Sequence, residues 1–314
     1  MKAIVYNKKA SPDKLVYSDI EKPIPLDNEV LVKIIAVSVN AADYRSMKMG
    51  MIPKKKVFGA DIAGIVESTG KNIQQFIPGD EVIGEIADYG FGGFAEYALA
   101  PEKFLVHKPA KISFEDAAAL PIAALTALQS LRDKGNIQKG DKVLIIGSGG
   151  GVGTFAVQLA KYFDAKVTAV CSTENVEQTK NLGADYVIDY TKEKITKSNT
   201  TYDIIVAING SYPLLACKRM LNPKGTYVMV GGALSQIFKT ILFGWVMSFG
   251  SKKICFLAAK PKQKDLEFIV MLSNDGKIKP VIEKYYPLDK TAEAVRYLSE
   301  GHAKGKVVIK VQQV

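Results

Sequence analysis

Lys142-Val-Leu-Ile-Ile-Gly-Ser-Gly-Gly-Gly-Val-Gly-Thr154 is the stretch whose reading decides the fold. An apolar, β-branched run breaks into glycines and passes directly into a helical pattern over 152–163. A strand, a glycine turn and a helix N-terminus in that order form a cradle for a dinucleotide phosphate. Glycine permits the tight turn and lets backbone approach the pyrophosphate, while the unpaired N–H groups of the first helical turn face the anion. The spacing is GxxGxxG, through Gly147, Gly150 and Gly153, because Val152 stands where the usual GxGxxG would end. The cradle is expected from Ser148, Gly149, Gly150, Gly151 and Val152.

Working outward, strand patterns at 166–171, 186–190, 202–208, 226–231 and 253–257 alternate with helical patterns at 175–182, 212–221 and 235–249. Such alternation predicts βαβ units closing a parallel, doubly wound sheet. Residues 1–118 differ. Short strands at 2–6, 29–39, 62–69 and 81–86 are punctuated by Pro23, Pro25, Pro53, Gly70 and Pro78-Gly-Asp80, as in an antiparallel, barrel-like domain. After residue 260 come a helix (262–274), a strand (281–285), a helix (290–299) and a strand (306–311). The expected organisation is α/β: a β-rich domain over 1–118 completed by 261–314, and a dinucleotide-binding domain over 119–260.

Glu29-Val-Leu-Val-Lys33, Val39-Asn-Ala-Ala-Asp-Tyr-Arg45, Gly59-Ala-Asp-Ile-Ala-Gly64, Pro78-Gly-Asp-Glu-Val82, Gly93-Phe-Ala-Glu-Tyr97, Ala118-Ala-Leu-Pro121, the glycine turn and His302-Ala-Lys-Gly-Lys-Val307 follow one another along nearly the whole chain. This series resembles the medium-chain dehydrogenase/reductase superfamily, and within it the zinc-independent quinone oxidoreductase (zeta-crystallin-like) branch. The resemblance implies a GroES-like catalytic domain and a Rossmann domain, with substrate between them.

The zinc-dependent alcohol dehydrogenases of that superfamily carry a cysteine where this chain has Asn40 and a histidine where it has Ala60, with a third ligand near Pro121. None of these three residues binds zinc. The composition agrees: three cysteines (Cys171, Cys217, Cys255) and two histidines (His107, His302) lack C-x-x-C or H-x-x-x-H spacing. No metal is therefore expected, and the cysteines read as buried filler. Without a Lewis acid, the alkoxide charge formed on a simple carbonyl has no strong stabiliser. Hydride addition to a quinone or an α,β-unsaturated carbonyl delocalises that charge, so a conjugated acceptor is the favoured substrate.

By the same resemblance, Asn40 lies beside the nicotinamide, Thr126 near the diphosphate or nicotinamide, Asn209 at the fourth strand's end, and Phe256 and Leu257 along the cofactor. Lys306 is expected to reach the adenosine phosphate. Tyr44 and Arg45 are candidate donors to the substrate oxygen; the alternative packs Tyr44 and pairs Arg45 with Asp43 on the surface. Asp61, in place of the family's glutamate, reads better as an internal hydrogen-bond partner than as a catalyst. NAD enzymes place an acid about 20 residues beyond the glycine turn. Here Val170-Cys-Ser-Thr173 offers the hydroxyls of Ser172 and Thr173, with Tyr190 and Lys192 resembling residues that flank an adenosine phosphate, so NADPH is expected over NADH. The alternative use of Ser172 and Thr173 is a helix cap for the segment from residue 175.

Three Tyr-x-x-x-Lys pairs (Tyr44/Lys48, Tyr162/Lys166, Tyr190/Lys194) match the short-chain dehydrogenase pattern, but that fold opens with its cofactor strand, whereas about 140 residues precede it here. Composition at 47% hydrophobic and 24% charged is that of a globular enzyme. Unpatterned cysteines and an opening strand in place of an export signal point to the cytoplasm. Net charge is +10, but lysines fall in short clusters without interleaved aromatics, so no nucleic-acid partner is expected. The apolar stretch 237–249 is too short to span a bilayer. It reads as a substrate or subunit contact, or, with Lys252 and Lys253 after it, as a peripheral membrane contact. A homodimer is expected from the resemblance. Two rival functions stay open: an NADPH-binding regulator without turnover (sensor or RNA-binding), and a reductase or dehydrogenase of simple carbonyls or alcohols.

Overall fold

The computed structural model describes residues 1–6, 11–53, 55–197, 199–208, 212–231, 240, 248, 251–301 and 303–312. It divides into two compact units, Met1–Leu125 with Pro261–Val314, and Thr126–Lys260.

The first unit is built around β3 (Glu29–Val39), whose eleven residues are buried on both faces but for one half-buried position. A strand covered on both sides loses the polar alternation of a one-faced sheet and becomes an almost continuous apolar run. Both of its edges are also paired. β4 (Asp61–Thr69) and β6 (Tyr97–Pro101) pair with it antiparallel, as does β15 (Lys306–Lys310) from the far end of the chain. The sheet continues through β5 (Glu81–Glu85) and β7 (Leu105–His107) on one side, and through β14 (Ile282–Pro287) parallel to β15 on the other. A two-stranded sheet of β1 (Lys2–Tyr6) and β2 (Leu15–Asp19) completes the β-rich part. Two helices matter to the site: α1 (Ala41–Lys48), directly after β3, and α2 (Phe114–Ala119), which packs on β3, β4 and β15. That packing, with the Ile122 N–H donating to Asp61, carries the first unit to residue 125, where the sequence placed the boundary at 118. The break falls inside α3 (Pro121–Leu128).

The second unit holds six parallel strands: β8 (Lys142–Ile146), β9 (Lys166–Cys171), β10 (Tyr186–Asp189), β11 (Tyr202–Ala207), β12 (Leu221–Met229) and β13 (Lys253–Phe256). Their spatial order is β10-β9-β8-β11-β12-β13, the doubly wound order with its reversal between β8 and β11. Ligands of such sheets bind beyond the carboxyl ends of the strands at that reversal. α4 (Gly151–Tyr162), α5 (Val176–Asn181) and α6 (Leu214–Arg219) supply the crossovers, and α4 buries Phe155, Val157 and Leu159. β12 begins five residues earlier than its apolar pattern suggested, because its register on β11 shifts and takes up the Pro223-Lys224-Gly225 segment. The helix expected at 235–249 lies outside the described residues, apart from Thr240 and Ser248. The tail adds α7 (Gln263–Asn274) and α8 (Thr291–Ser299) to the first unit.

Candidate active site

The glycine turn sits between β8 and α4, at the sheet's reversal. Gly147 takes φ +90°, a conformation costly to any side chain. A Cβ on Gly153 would lie 2.2 Å from the Gly147 carbonyl oxygen and 2.6 Å from Ser148 Cα, so the third glycine lets α4 press against the turn. Gly150 is different. It is the N-cap of α4, has no side chain to cap the helix, and a Cβ there would meet nothing within 4 Å. An uncapped helix start with open space before it fits an anion whose oxygens take the free N–H groups. Ser148 is fully buried and its hydroxyl donates to the Val170 carbonyl at 3.2 Å, so any contact it makes with phosphate is through backbone.

The end of β9 is organised by a residue the sequence reading passed over. Asp189, at the end of β10, accepts from Thr173 Oγ1 (2.6 Å), from Thr191 Oγ1 (2.7 Å) and from the Thr191 N–H (3.0 Å). Lys192 lies 3.5 Å away. Hydrogen bonds from Thr173 and Thr191 hold its carboxyl at about 2, below the usual range. Neither Ser172 nor Thr173 caps the following helix by its side chain, which corrects the capping alternative: Thr173 turns to Asp189, and Ser172 Oγ accepts from Asn175 Nδ2 at 3.0 Å. Asn175 also packs on Gly149, where a Cβ would come within 2.6 Å of its Cγ, and its buried Oδ1 has no partner. Tyr190 is exposed, Thr126 and Leu257 are buried, and Phe256 is half-buried. Asn209 lies outside the described residues.

In the first unit, Asn40 stands between β3 and α1 and is the hub of a buried polar cluster. Its Nδ2 donates to Asp61 Oδ2 at 2.8 Å, and its Oδ1 accepts from Lys306 Nζ at 2.6 Å. Lys306 also lies 3.5 Å from Asp61, both side chains being almost wholly buried. This corrects the expectation that Lys306 reaches an adenosine phosphate: its ammonium is committed to Asn40 and Asp61. Asp61 further accepts from Ser38 Oγ and from the Ile122 N–H, each at 3.0 Å, as expected of an internal hydrogen-bond partner. Asp43 is fully buried and accepts from the N–H groups of Asn40 (2.7 Å) and Gly59 (3.0 Å), so the surface pair of Arg45 with Asp43 does not form. Burial, reinforced by the neighbouring Asp61 charge, pushes Asp43 up to about 7. The same two causes push Glu85, which accepts from the Ala87 N–H, up to about 8. Tyr44 is half-buried against the core, with the Arg45 guanidinium 5.9 Å and the Lys48 ammonium 5.4 Å from its ring centre.

Asp43 was legible as a cap, since an acid three residues after Asn40 is the spacing at which a side chain reaches back to a helix's first N–H. Glu85 and Asp189 carried no such signal, because each acts across strands remote in sequence.

The alcohol dehydrogenase GroES-like domain family matches residues 26–110, and the zinc-binding dehydrogenase family matches 182–309. The chain is 36% identical over 310 residues to the chloroplast envelope quinone oxidoreductase homolog of Arabidopsis thaliana, covering 94% of this chain and 93% of that protein. It belongs to the medium-chain dehydrogenase/reductase superfamily, in the quinone oxidoreductase branch. This reductase is also 33% identical over 324 residues to the NADPH-dependent alkenal/one oxidoreductase of the same plant, covering 98% of this chain and 79% of that one. Among solved structures, the quinone oxidoreductase from Coxiella burnetii superposes with a TM-score of 0.90 at 28% identity, over 99% of each chain. The chain is thus an NAD(P)H-dependent oxidoreductase with a GroES-like and a Rossmann-type part.

Proposed function

We propose that this reductase transfers hydride from NADPH to a quinone or to the activated C=C of an α,β-unsaturated carbonyl, without zinc. The observation that carries the metal-free reading is the Lys306 ammonium 2.6 Å from Asn40 Oδ1, a fixed cation against the position where zinc-dependent relatives hold their first ligand. Bound at the glycine turn, the reduced nicotinamide supplies the hydride. The α4 N-terminus and Gly150 hold the pyrophosphate, and Asn40 faces the nicotinamide. Tyr44, with Arg45, donates to the substrate oxygen, where charge develops as an enolate or hydroquinone anion. An acceptor that spreads this charge by conjugation needs no Lewis acid.

NADPH is favoured because the two positions directly after β9 carry the hydroxyls of Ser172 and Thr173 in place of an acid, and Tyr190 and Lys192 follow the next strand; Glu174, immediately after Thr173, counts against it. Asp189 limits the preference, since its charge lies one hydrogen bond behind Thr173 and opposes a 2′-phosphate. Replacing Asp189→Asn is expected to raise the ratio of kcat/KM for NADPH over NADH severalfold; an unchanged ratio places the selectivity elsewhere. We infer a homodimer paired along the sheet edge at β13, and a cytoplasmic location, which the three unpaired cysteines support. Among the described residues, no helix is long and apolar enough to cross a membrane.

The test is loss of nicotinamide absorbance against a naphthoquinone, a long-chain enone, an alkenal and a saturated ketone. Oxidation with the conjugated acceptors alone, unaffected by chelator and reduced in Tyr44→Phe, is the expected result. Tight NADPH binding without turnover would instead make the protein a regulator, and turnover lost on chelation would overturn the metal-free mechanism.

A further inference from the structure

Lys306 and Asn40 are 266 positions apart, yet the ammonium meets the amide oxygen at 2.6 Å at a site where the lysine is 3% exposed and the asparagine 5%. Burying an ammonium is unfavourable unless it is paired, so its placement here calls for a role. The structure supplies one in the geometry of the amide. Lys306 has only donors, and the Asp61 carboxylate has only acceptors. Rotating the Asn40 amide by half a turn would set its NH2 group against the ammonium and its oxygen against Asp61 Oδ2. Both contacts would become repulsive, so the amide has one allowed orientation.

What this orientation leaves open is informative. The second N–H of Asn40 reaches only Ser38, at 3.3 Å to its carbonyl and 3.4 Å to its hydroxyl, longer than the 2.8 Å and 2.6 Å bonds that the same amide makes to Asp61 and Lys306. The Asn40 backbone is fixed independently: its N–H goes to Asp43, and its carbonyl takes the Asp43 N–H at 3.1 Å. The main chain is therefore held by α1 itself, and the side-chain orientation by Lys306 and Asp61. Lys306 comes from β15, whose register places Val307 opposite Val39, so the tail strand brings the lysine beside β3's last residues.

We propose that Lys306 is the positioning residue of this reductase, locking the Asn40 amide in the one orientation that receives the nicotinamide. The inference rests on the proposed contact between Asn40 and the cofactor. Adenosine and pyrophosphate are held elsewhere, so loss of Lys306 disturbs the pose of the nicotinamide more than the affinity for the whole cofactor.

The experiment compares Lys306→Met, Lys306→Arg and the double variant Lys306→Met/Asp61→Asn with wild type. Three quantities are read: NADPH affinity, the emission maximum of bound NADPH, and kcat with a naphthoquinone. In Lys306→Met, kcat is expected to fall about a hundredfold, the loss that a misplacement of about 1 Å in reacting groups can cause. The emission maximum moves towards that of free NADPH while the dissociation constant changes little. Lys306→Arg, which keeps donors and charge, restores most of kcat. If Lys306→Met does not fold, the double variant, which removes both members of the ion pair, is read in its place. A folded variant lacking the ammonium but keeping wild-type emission and kcat overturns the proposal, even if its Tm has dropped. Should wild type bind NADPH but reduce no acceptor, the proposed function fails, and the emission of bound NADPH still decides whether Lys306 sets the pose.

Discussion

Asn40, Asp43, Asp61, Glu85 and Lys306 show how much buried polar chemistry can hide in residues of ordinary type. Each acid is common in a chain with 32 Asp and Glu. Only burial makes these three unusual. Glu85 is pushed up to about 8 from 4.5, and Asp43 up to about 7 from 3.8. A folded state with raised acid pKa values binds more protons than the unfolded chain once pH exceeds the unfolded values, so stability falls as pH rises through that window. The stabilising contribution is complete below about pH 4 and is lost by about pH 8. Wild-type Tm is accordingly expected to drop as pH rises from about 5 to about 8.5, with Glu85→Gln flattening the drop and melting higher at the alkaline end. Parallel Tm curves for the two proteins would show that Glu85 does not titrate in this range.

At the scale of the element, the turn into α4 assigns different duties to glycines that look alike in sequence. Gly153 meets backbone, and backbone cannot yield as a flexible side chain can. Gly153→Ala should cost about 1–3 kcal/mol of stability, the usual range for forced overpacking, and more if the turn cannot shift. Gly150→Ala meets no protein atom. It should fold with a nearly unchanged Tm yet bind NADPH much more weakly, because the new methyl group occupies the space before the helix N-terminus. Thermal melts and NADPH fluorescence titrations of both variants check this contrast; equal effects on stability would refute it. The elements themselves were largely legible. Strands at 2–6, 29–39 and 166–171 match their expected bounds, since period and punctuation are local properties. α1 was not foreseen, because Asp43, Arg45 and Lys48 break up a stretch in which only Tyr44 and Met47 are large and apolar, leaving little apolar periodicity.

At the scale of the whole molecule, the first unit is discontinuous: residues 261–314 return to it, and β15 fills the place between β14 and β3. Ending the chain at Lys260 would strip β3 of a partner along residues 36–39 and leave Asp61 buried without its cation. An uncompensated buried charge costs roughly 3–5 kcal/mol, a large part of a domain's stability. Limited proteolysis of a 1–260 fragment should therefore cut first within 1–125. Protection of 1–125 equal to that in the full chain would show that the tail is dispensable to the fold.

By itself, the sequence determined the two-part α/β plan, the glycine turn between β8 and α4 and the replacement of zinc-binding residue types, because periodicity, turn chemistry and side-chain identity are written residue by residue. Only the tertiary structure decided that Lys306 serves Asn40 rather than an adenosine phosphate, that Thr173 leans on Asp189 rather than capping a helix, and that Asp43 is buried rather than paired with Arg45. Those three outcomes depend on strand pairing and burial between residues distant in the chain. Hydrogen-bond partners and desolvation arise from that assembly, and no local spacing records them.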